Sequence, residues 1–135
     1  MGEIRVRVKL TNAVDAVLAH QGRLSAEQVR CCETDAMVDT GAIRSVIPAS
    51  LVPSLGVEIM DRRPAQLADG SQQSVDVTGP ILFELEGRKT LEEALVLGNE
   101  VLIGQTVLEA VDLSADCRGR RLVPGHPDGP VLKIK

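Results

Sequence analysis

The chain has 135 residues, a net charge of −4, 44% hydrophobic residues and a single phenylalanine with no tryptophan or tyrosine. That length makes one domain with a modest core. An acidic balance almost without aromatics gives no footing for nucleic acid, whose phosphates need a basic face and whose bases stack on rings. No apolar stretch reaches the length of a signal-peptide core or a membrane span, and Met1-Gly2-Glu3-Ile4-Arg5-Val6 lacks the Ser or Thr of a myristoylation signal, so a soluble, cytoplasmic protein with no membrane partner is expected.

Ile4, Val6, Val8 and Leu10 alternate with Arg5, Arg7 and Lys9 and predict a half-buried strand that ends at Thr11-Asn12. Residues 13–20 are ambiguous, with Val14, Val17 and Leu18 at the spacing of a short helix. Ser25-Ala26-Glu27-Gln28 fits a capping box and predicts a helical turn from Ser25. Residues 29–38 read as a strand leading into Asp39, and 43–47 as a second short strand closed by Pro48. Residues 49–55 predict a turn or two of helix, limited by Pro53 and stopped by Gly56.

Residues 64–68 and 73–78 flank Asp69-Gly70-Ser71, a hairpin signal. Residues 81–86 and 91–97 predict a strand pair around Gly87-Arg88-Lys89. Thr106-Val107-Leu108-Glu109 is a second capping-box pattern and opens a late helix. Residues 113–117 and 122–123 look like a closing hairpin around Gly119, with Arg118-Gly119-Arg120-Arg121 as a solvated turn. The tail, 125–135, carries Pro127, Gly129 and Pro130 before the strand-like Val131-Leu132-Lys133-Ile134, and is expected either to be disordered or to pair with another chain. Many short strands between Gly and Pro turns give an all-β, barrel-like class with two or three short helices.

Three cysteines cannot all pair within one chain, and the neighbours Cys31 and Cys32 leave a strand on opposite faces. With no C-x-x-C spacing, reduced thiols and no zinc site are expected, Cys117 being a buried bystander. His20 and His126 read as solvent-exposed loop residues rather than ligands. The serine-hydrolase elbow, the phosphate-binding P-loop and the zinc-protease helix pattern are all missing from the sequence. No metal and no cofactor are expected.

Residues 36–42 read Ala36-Met37-Val38-Asp39-Thr40-Gly41-Ala42, an apolar run that delivers one carboxylate into a tight Thr-Gly turn. A carboxylate at the end of a buried strand is costly unless something uses it. Gly41 lets the main chain approach closely, and its N–H and the Thr40 hydroxyl are donors suited to holding the carboxylate. With Ser45-Val46-Ile47-Pro48 following, the segment resembles the active-site segment of the retropepsin-like, single-domain aspartic proteases. Gln66-Leu67-Ala68-Asp69-Gly70-Ser71 falls where such proteases carry their flap hairpin. Val101-Leu102-Ile103-Gly104 resembles the hydrophobic-hydrophobic-Gly segment that packs beneath the catalytic loop, and a short helix over 106–111 follows it as in the family. The resemblance covers residues 3–124, nearly the whole chain.

It implies an all-β, closed barrel-like retropepsin fold over 1–124 with a short helix near its C-terminal end, forming a C2 homodimer, with 125–135 left as a tail that could lie at the dimer interface. It also implies an aspartic endopeptidase. Asp39 is then the catalytic carboxylate, and Thr40, Gly41 and Ala42 support its loop, Thr40 by bonding across the two-fold axis. Ala68, Asp69, Gly70 and Ser71 form the flap over a polypeptide substrate, while Leu102, Ile103 and Gly104 pack beneath the site. Such chemistry needs two carboxylates that share a proton. This chain has one Asp-Thr-Gly, and Asp69-Gly70-Ser71 and Asp128-Gly129-Pro130 lack its context. A second copy of the chain supplies the other carboxylate across an isologous interface.

Viral members commonly place an acidic residue directly after Asp-Thr-Gly-Ala and an arginine directly after hydrophobic-hydrophobic-Gly, and the two form an ion pair. Here those positions are Ile43 and Gln105. Both partners are missing together, so a different support for the loop is expected. The alternative from another class is a non-proteolytic peptide-binding or dimerisation module on the same fold, and a plain structural β domain is a third possibility.

Overall fold

The computed structural model describes residues 3–132 and 134. Its first strand, β1 (Arg5–Asn12), follows the alternation in the sequence: Val6, Val8 and Leu10 are buried while Arg5, Arg7 and Lys9 stand in solvent. Thereafter come α1 (Ala13–His20), β2 (Cys31–Val38), β3 (Val46–Ile47), α2 (Leu51–Leu55), β4 (Ile59–Gln66) and β5 (Gln72–Thr78). The second half adds β6 (Ile81–Leu85), β7 (Arg88–Glu92), β8 (Leu95–Val96), β9 (Val101–Ile103), α3 (Gln105–Val111), β10 (Leu113–Asp116) and β11 (Arg121–Pro124). The chain is mostly β.

Nine strands form one curled sheet in the order β4-β5-β8-β3-β9-β2-β1-β6-β7, and β10-β11 make a separate hairpin. The expected closed barrel is therefore corrected to an open sheet, whose outer strands β4 and β7 are not bonded to each other. The core packs the sheet against α2 and α3. Val8 faces Leu85 and Leu10 faces Phe83 across β1 and β6, and α3 contributes Val107, Leu108 and Val111, all buried with Ile47, Leu55 and Ile103. Each fully buried side chain of that size contributes about 1.5–3 kcal/mol.

The helices obey their local chemistry. Asn12 caps α1, its side-chain carbonyl accepting the Asp15 N–H at 3.0 Å. The apolar stripe that marks α1 in the sequence does not face inward: Val14 and Val17 are exposed, and Ala13 and Asp15 are buried. Arg30 explains the rotation, because its guanidinium meets the Asp15 carboxylate at 2.8 and 3.0 Å and turns that side chain into the fold. Pro53 is tolerated as the third residue of α2, within the first turn, where its missing N–H costs nothing. Gly56 ends α2 at φ 62°, a left-handed cap.

Several boundaries move. The strand expected over 43–47 shrinks to β3, because Ile43 and Arg44 belong to the loop that follows Asp39. The turn expected at Gly87-Arg88-Lys89 tightens to Glu86-Gly87, and the strand expected over 91–97 divides between β7 and β8. Thr106 does not cap α3, whose N-cap is Gly104. Cys117 is exposed rather than buried.

β4 and β5 form the hairpin expected around Asp69-Gly70-Ser71, and all of β4 but Ala65 is exposed. The Leu67 N–H donates to the Ser71 carbonyl, so with a period of two the amides of Ala65 and Arg63 also face β5, and Pro64 and Arg62 turn to the free edge. Pro64 has no N–H to offer there, and the Arg62 N–H is taken by the Asp61 carboxylate at 2.8 Å.

The described part of the tail is fastened to its own chain. Asp112, the left-handed cap of α3, accepts the Gly125 N–H on its carbonyl at 2.9 Å. Its carboxylate lies 2.6 Å from His126 Nδ1, and Arg88 donates to the His126 carbonyl at 2.6 Å. The His126 contact, ahead of the Val131 N–H and the Arg88 charge, holds the Asp112 carboxyl below the usual carboxylate range. The expectation of a strand over 131–134 falls partly outside the described residues, since Lys133 is not among them.

Candidate active site

β2 carries Ala36, buried, through Met37 and Val38 to Asp39 at its end. It runs parallel to β9, with Met37 beside Leu102 and Val38 beside Ile103. The Asp39 N–H continues that ladder by donating to the Ile103 carbonyl at 2.9 Å. The chain then turns: the Ala42 N–H donates back to the Asp39 carbonyl at 3.1 Å, and the Gly41 N–H donates to Asp39 Oδ1 at 3.0 Å. A methyl group on Gly41 would lie 3.3 Å from that oxygen, so the glycine keeps the carboxylate close to the turn. Thr40 is exposed, and among the described residues the carboxylate takes its hydrogen bond from Gly41, not from the Thr40 hydroxyl.

The loop after Asp39 also caps α3. The first turn of any helix leaves N–H groups without intrahelical acceptors. Here the Gln105 N–H donates to the Ala42 carbonyl at 2.8 Å and the Thr106 N–H to the Ile43 carbonyl at 3.0 Å. The Gly104 N–H donates to the hydroxyl of Ser45, itself fully buried, at 2.9 Å. These acceptors replace the capping box expected from Thr106 and Glu109. Gly104 is required by space rather than by dihedral: a methyl group there would lie 2.6 Å from the Arg44 carbonyl carbon and oxygen and 2.9 Å from the Ile43 oxygen. Leu102, Ile103 and Gly104 thus sit directly against the Asp39 loop.

Around Ile43 and Gln105, the positions at which the resemblance would place an ion pair, the chain has a different set of contacts. The Thr106 hydroxyl reaches both the Ile43 carbonyl, at 3.0 Å, and the carboxylate of Glu92. Arg44 lies 3.6 Å from Glu92 and 3.6 Å from Glu93. Ile43 projects its side chain to solvent, 72% exposed. Ser45, Arg44, Glu92 and Thr106 were not among the residues assigned to the site from sequence. Ser45 had a signal, a hydroxyl between the turn and a buried strand. Glu92 had none, because its position depends on the end of β7 reaching α3.

Asp39 and Thr40 open on a pocket of about 290 Å³, lined also by Ile4, Met37, Val38 and Cys117. The residues expected to form a flap, Ala68, Asp69, Gly70 and Ser71, do not line it. They close on one another at the hairpin tip: the Gly70 N–H donates to the Leu67 carbonyl at 2.9 Å, and the Ser71 N–H to the Asp69 carboxylate at 2.9 Å. Gly70 has φ 87°, a conformation open to glycine and strained for other residues. The Ser71 hydroxyl, then its N–H, hold the Asp69 carboxyl below its usual range.

Among the described residues no group of three or more histidine, cysteine or acidic side chains could hold a metal. No described helix is long and apolar enough to cross a membrane. In comparison with protein-family models and with curated proteins, the chain matches none of them.

Proposed function

We propose that the chain is an aspartic endopeptidase of the retropepsin-like type, acting as a C2 homodimer in which each copy contributes Asp39. The observation that carries this reading is the setting of that carboxylate. It stands half-buried at the end of β2, on a loop bonded to β9 and to the start of α3, and faces an open pocket. Oδ1 takes the Gly41 N–H, and Oδ2 has no hydrogen bond among the described residues. A carboxylate held so firmly and left half-satisfied suits a second carboxylate and a water.

In the dimer, one ionised Asp39 takes a proton from water as the water oxygen bonds to the scissile carbonyl carbon. The other, protonated, gives its proton to the carbonyl oxygen. The gem-diol then collapses and the C–N bond breaks. The first carboxyl passes its proton to the departing nitrogen, and a diol hydroxyl returns one to the second. The chain's own contribution is to fix both carboxylates before substrate arrives. The hairpin tip at Ala68, Asp69, Gly70 and Ser71 serves as a flap that moves over the bound peptide. Three free cysteines support a reducing, cytoplasmic setting.

One observation favours the alternative, a non-proteolytic peptide-binding or dimerisation module. In the described chain the hairpin tip stands apart from the Asp39 pocket. The two readings separate on incubation with an unfolded apolar protein, with and without a pepstatin-type inhibitor. The enzyme reading expects fragments that the inhibitor suppresses, and none from Asp39→Asn, which should remain a folded dimer by analytical ultracentrifugation. Intact substrate with the parent chain, or cleavage retained in Asp39→Asn, overturns it.

A further inference from the structure

Thr106 has one hydroxyl hydrogen and two acceptors within reach, the Ile43 carbonyl at 3.0 Å and a carboxylate oxygen of Glu92. The Ile43 carbonyl already receives the Thr106 N–H at 3.0 Å. The hydroxyl hydrogen therefore goes to the carboxylate, the stronger acceptor. The same Glu92 oxygen lies 3.6 Å from Arg44 Nε, a buried nitrogen with no hydrogen-bond partner among the described residues. The Glu92 side chain is only 14% exposed, so its charge acts with little screening by water.

We propose that Glu92 is a positioning residue for the Asp39 loop, acting through Thr106 on one side and Arg44 on the other; this rests on the reading of Asp39 as the reacting carboxylate. Ile43 and Arg44 are adjacent, and Glu92 holds both: Ile43 by orienting the residue whose N–H it accepts, Arg44 by direct attraction. The turn that sets Asp39 closes just upstream, at the Ala42 N–H. Without the carboxylate, the Thr106 side chain loses the acceptor that fixes it against β7. Arg44 is then left with Glu93 alone, at 3.6 Å to its carboxylate and 3.4 Å to its carbonyl. Glu93 is a half-exposed side chain, so the guanidinium is drawn outward and the loop loses its inner tether.

The test compares Glu92→Ala, Glu92→Gln, Thr106→Val and Thr106→Ser with the parent by amide hydrogen exchange and by steady-state kinetics on a peptide substrate. Glu92→Ala should speed exchange at Ala42, Gln105 and Thr106 about tenfold while the amides of β1 and β6 keep their protection. The kcat should fall about tenfold at unchanged KM, the signature of a misplaced reacting group rather than lost substrate contact. Thr106→Val should behave the same way, Thr106→Ser should match the parent, and Glu92→Gln should fall between, keeping the acceptor but not the charge. Unchanged exchange at the three loop amides, or an equal loss of protection across the sheet, overturns the proposal. So does a rise in KM at constant kcat. A parent protein that cleaves nothing overturns the endopeptidase reading alone, because the exchange experiment still decides whether Glu92 holds the loop.

Discussion

The Asp39 loop and the β4–β5 hairpin are opposite solutions to presenting polar residues at a surface. The loop is tied to distant parts of the chain: Asp39 to Ile103, Ala42 to Gln105, Ile43 to Thr106, with Ser45 bonded to Gly104. The hairpin tip bonds only to itself, Leu67 to Ser71 and Gly70 to Leu67. The hairpin joins the sheet only at its base, where Asp76 and Val77 of β5 pair with β8, the Thr78 N–H donates to the Ala94 carbonyl at 2.9 Å, and Val75 and Val77 are buried. A segment whose bonds are internal can move as a unit, whereas one bonded to three elements cannot move without opening the fold. The Asp39 loop is therefore the more firmly tied of the two regions and the hairpin tip the freer.

The comparison breaks most clearly at its two glycines. Gly104→Ala drives a methyl group into the Arg44 backbone at 2.6 Å, and backbone cannot step aside. It should cost about 3 kcal/mol, the upper end for overpacking, read as a fall in the denaturant midpoint. An unchanged midpoint would mean that the loop yields and is not the rigid half of the pair.

A Cβ at Gly70 meets nothing within 4 Å, and the penalty of Gly70→Val comes from the dihedral, at φ 87°. Cleavage should fall about tenfold through the distorted tip, with the melting temperature little moved, since tip contacts lie outside the core. Equal loss of activity and stability would place the hairpin in the core, and unchanged cleavage would remove it from the site.

A smaller effect sharpens the contrast by testing a charge that belongs to neither region. The Arg30 guanidinium, bonded to the buried Asp15 carboxylate, holds that carboxyl below its usual range. A depressed folded value means the pair stabilises fully above the unfolded carboxylate range of about 4 and loses its contribution as pH falls through the folded value. The melting temperature of the parent should therefore decline as pH drops below about 4. Asp15→Asn should start several degrees lower at neutral pH and decline less steeply. Parallel curves for the two proteins would show that acid acts elsewhere.

What could be read from the sequence divides along the same line. β1, the β4–β5 hairpin and the Asp39 turn are local: alternation, an Asp-Gly turn and a Thr-Gly turn declare themselves within ten residues. The rotation of α1 was not legible, because Asp15 is buried by Arg30, a residue remote in sequence. The capping of α3 is hidden from the sequence for a similar reason. Thr106 and Glu109 carry the local pattern, yet the N–H groups were already satisfied by residues 42–45. Closure of the barrel failed as an inference because strand spacing says nothing about whether β4 and β7 meet. Of the candidate site, the carboxylate and its glycine were visible, and the contacts that hold them, Ser45 and Glu92, were fixed only by the fold.

The free edge of β4 bears on how such a protein survives at high concentration. An arm that swings with its outer edge bare would be a template for a neighbour's strand and a seed for fibres. On that edge Pro64 has no amide to donate, and the Arg62 amide is already engaged by Asp61. An incoming strand would find two successive rungs missing from the ladder. At Pro64 and Arg62 such a strand meets carbonyls alone, and the exposed arm is a poor template there.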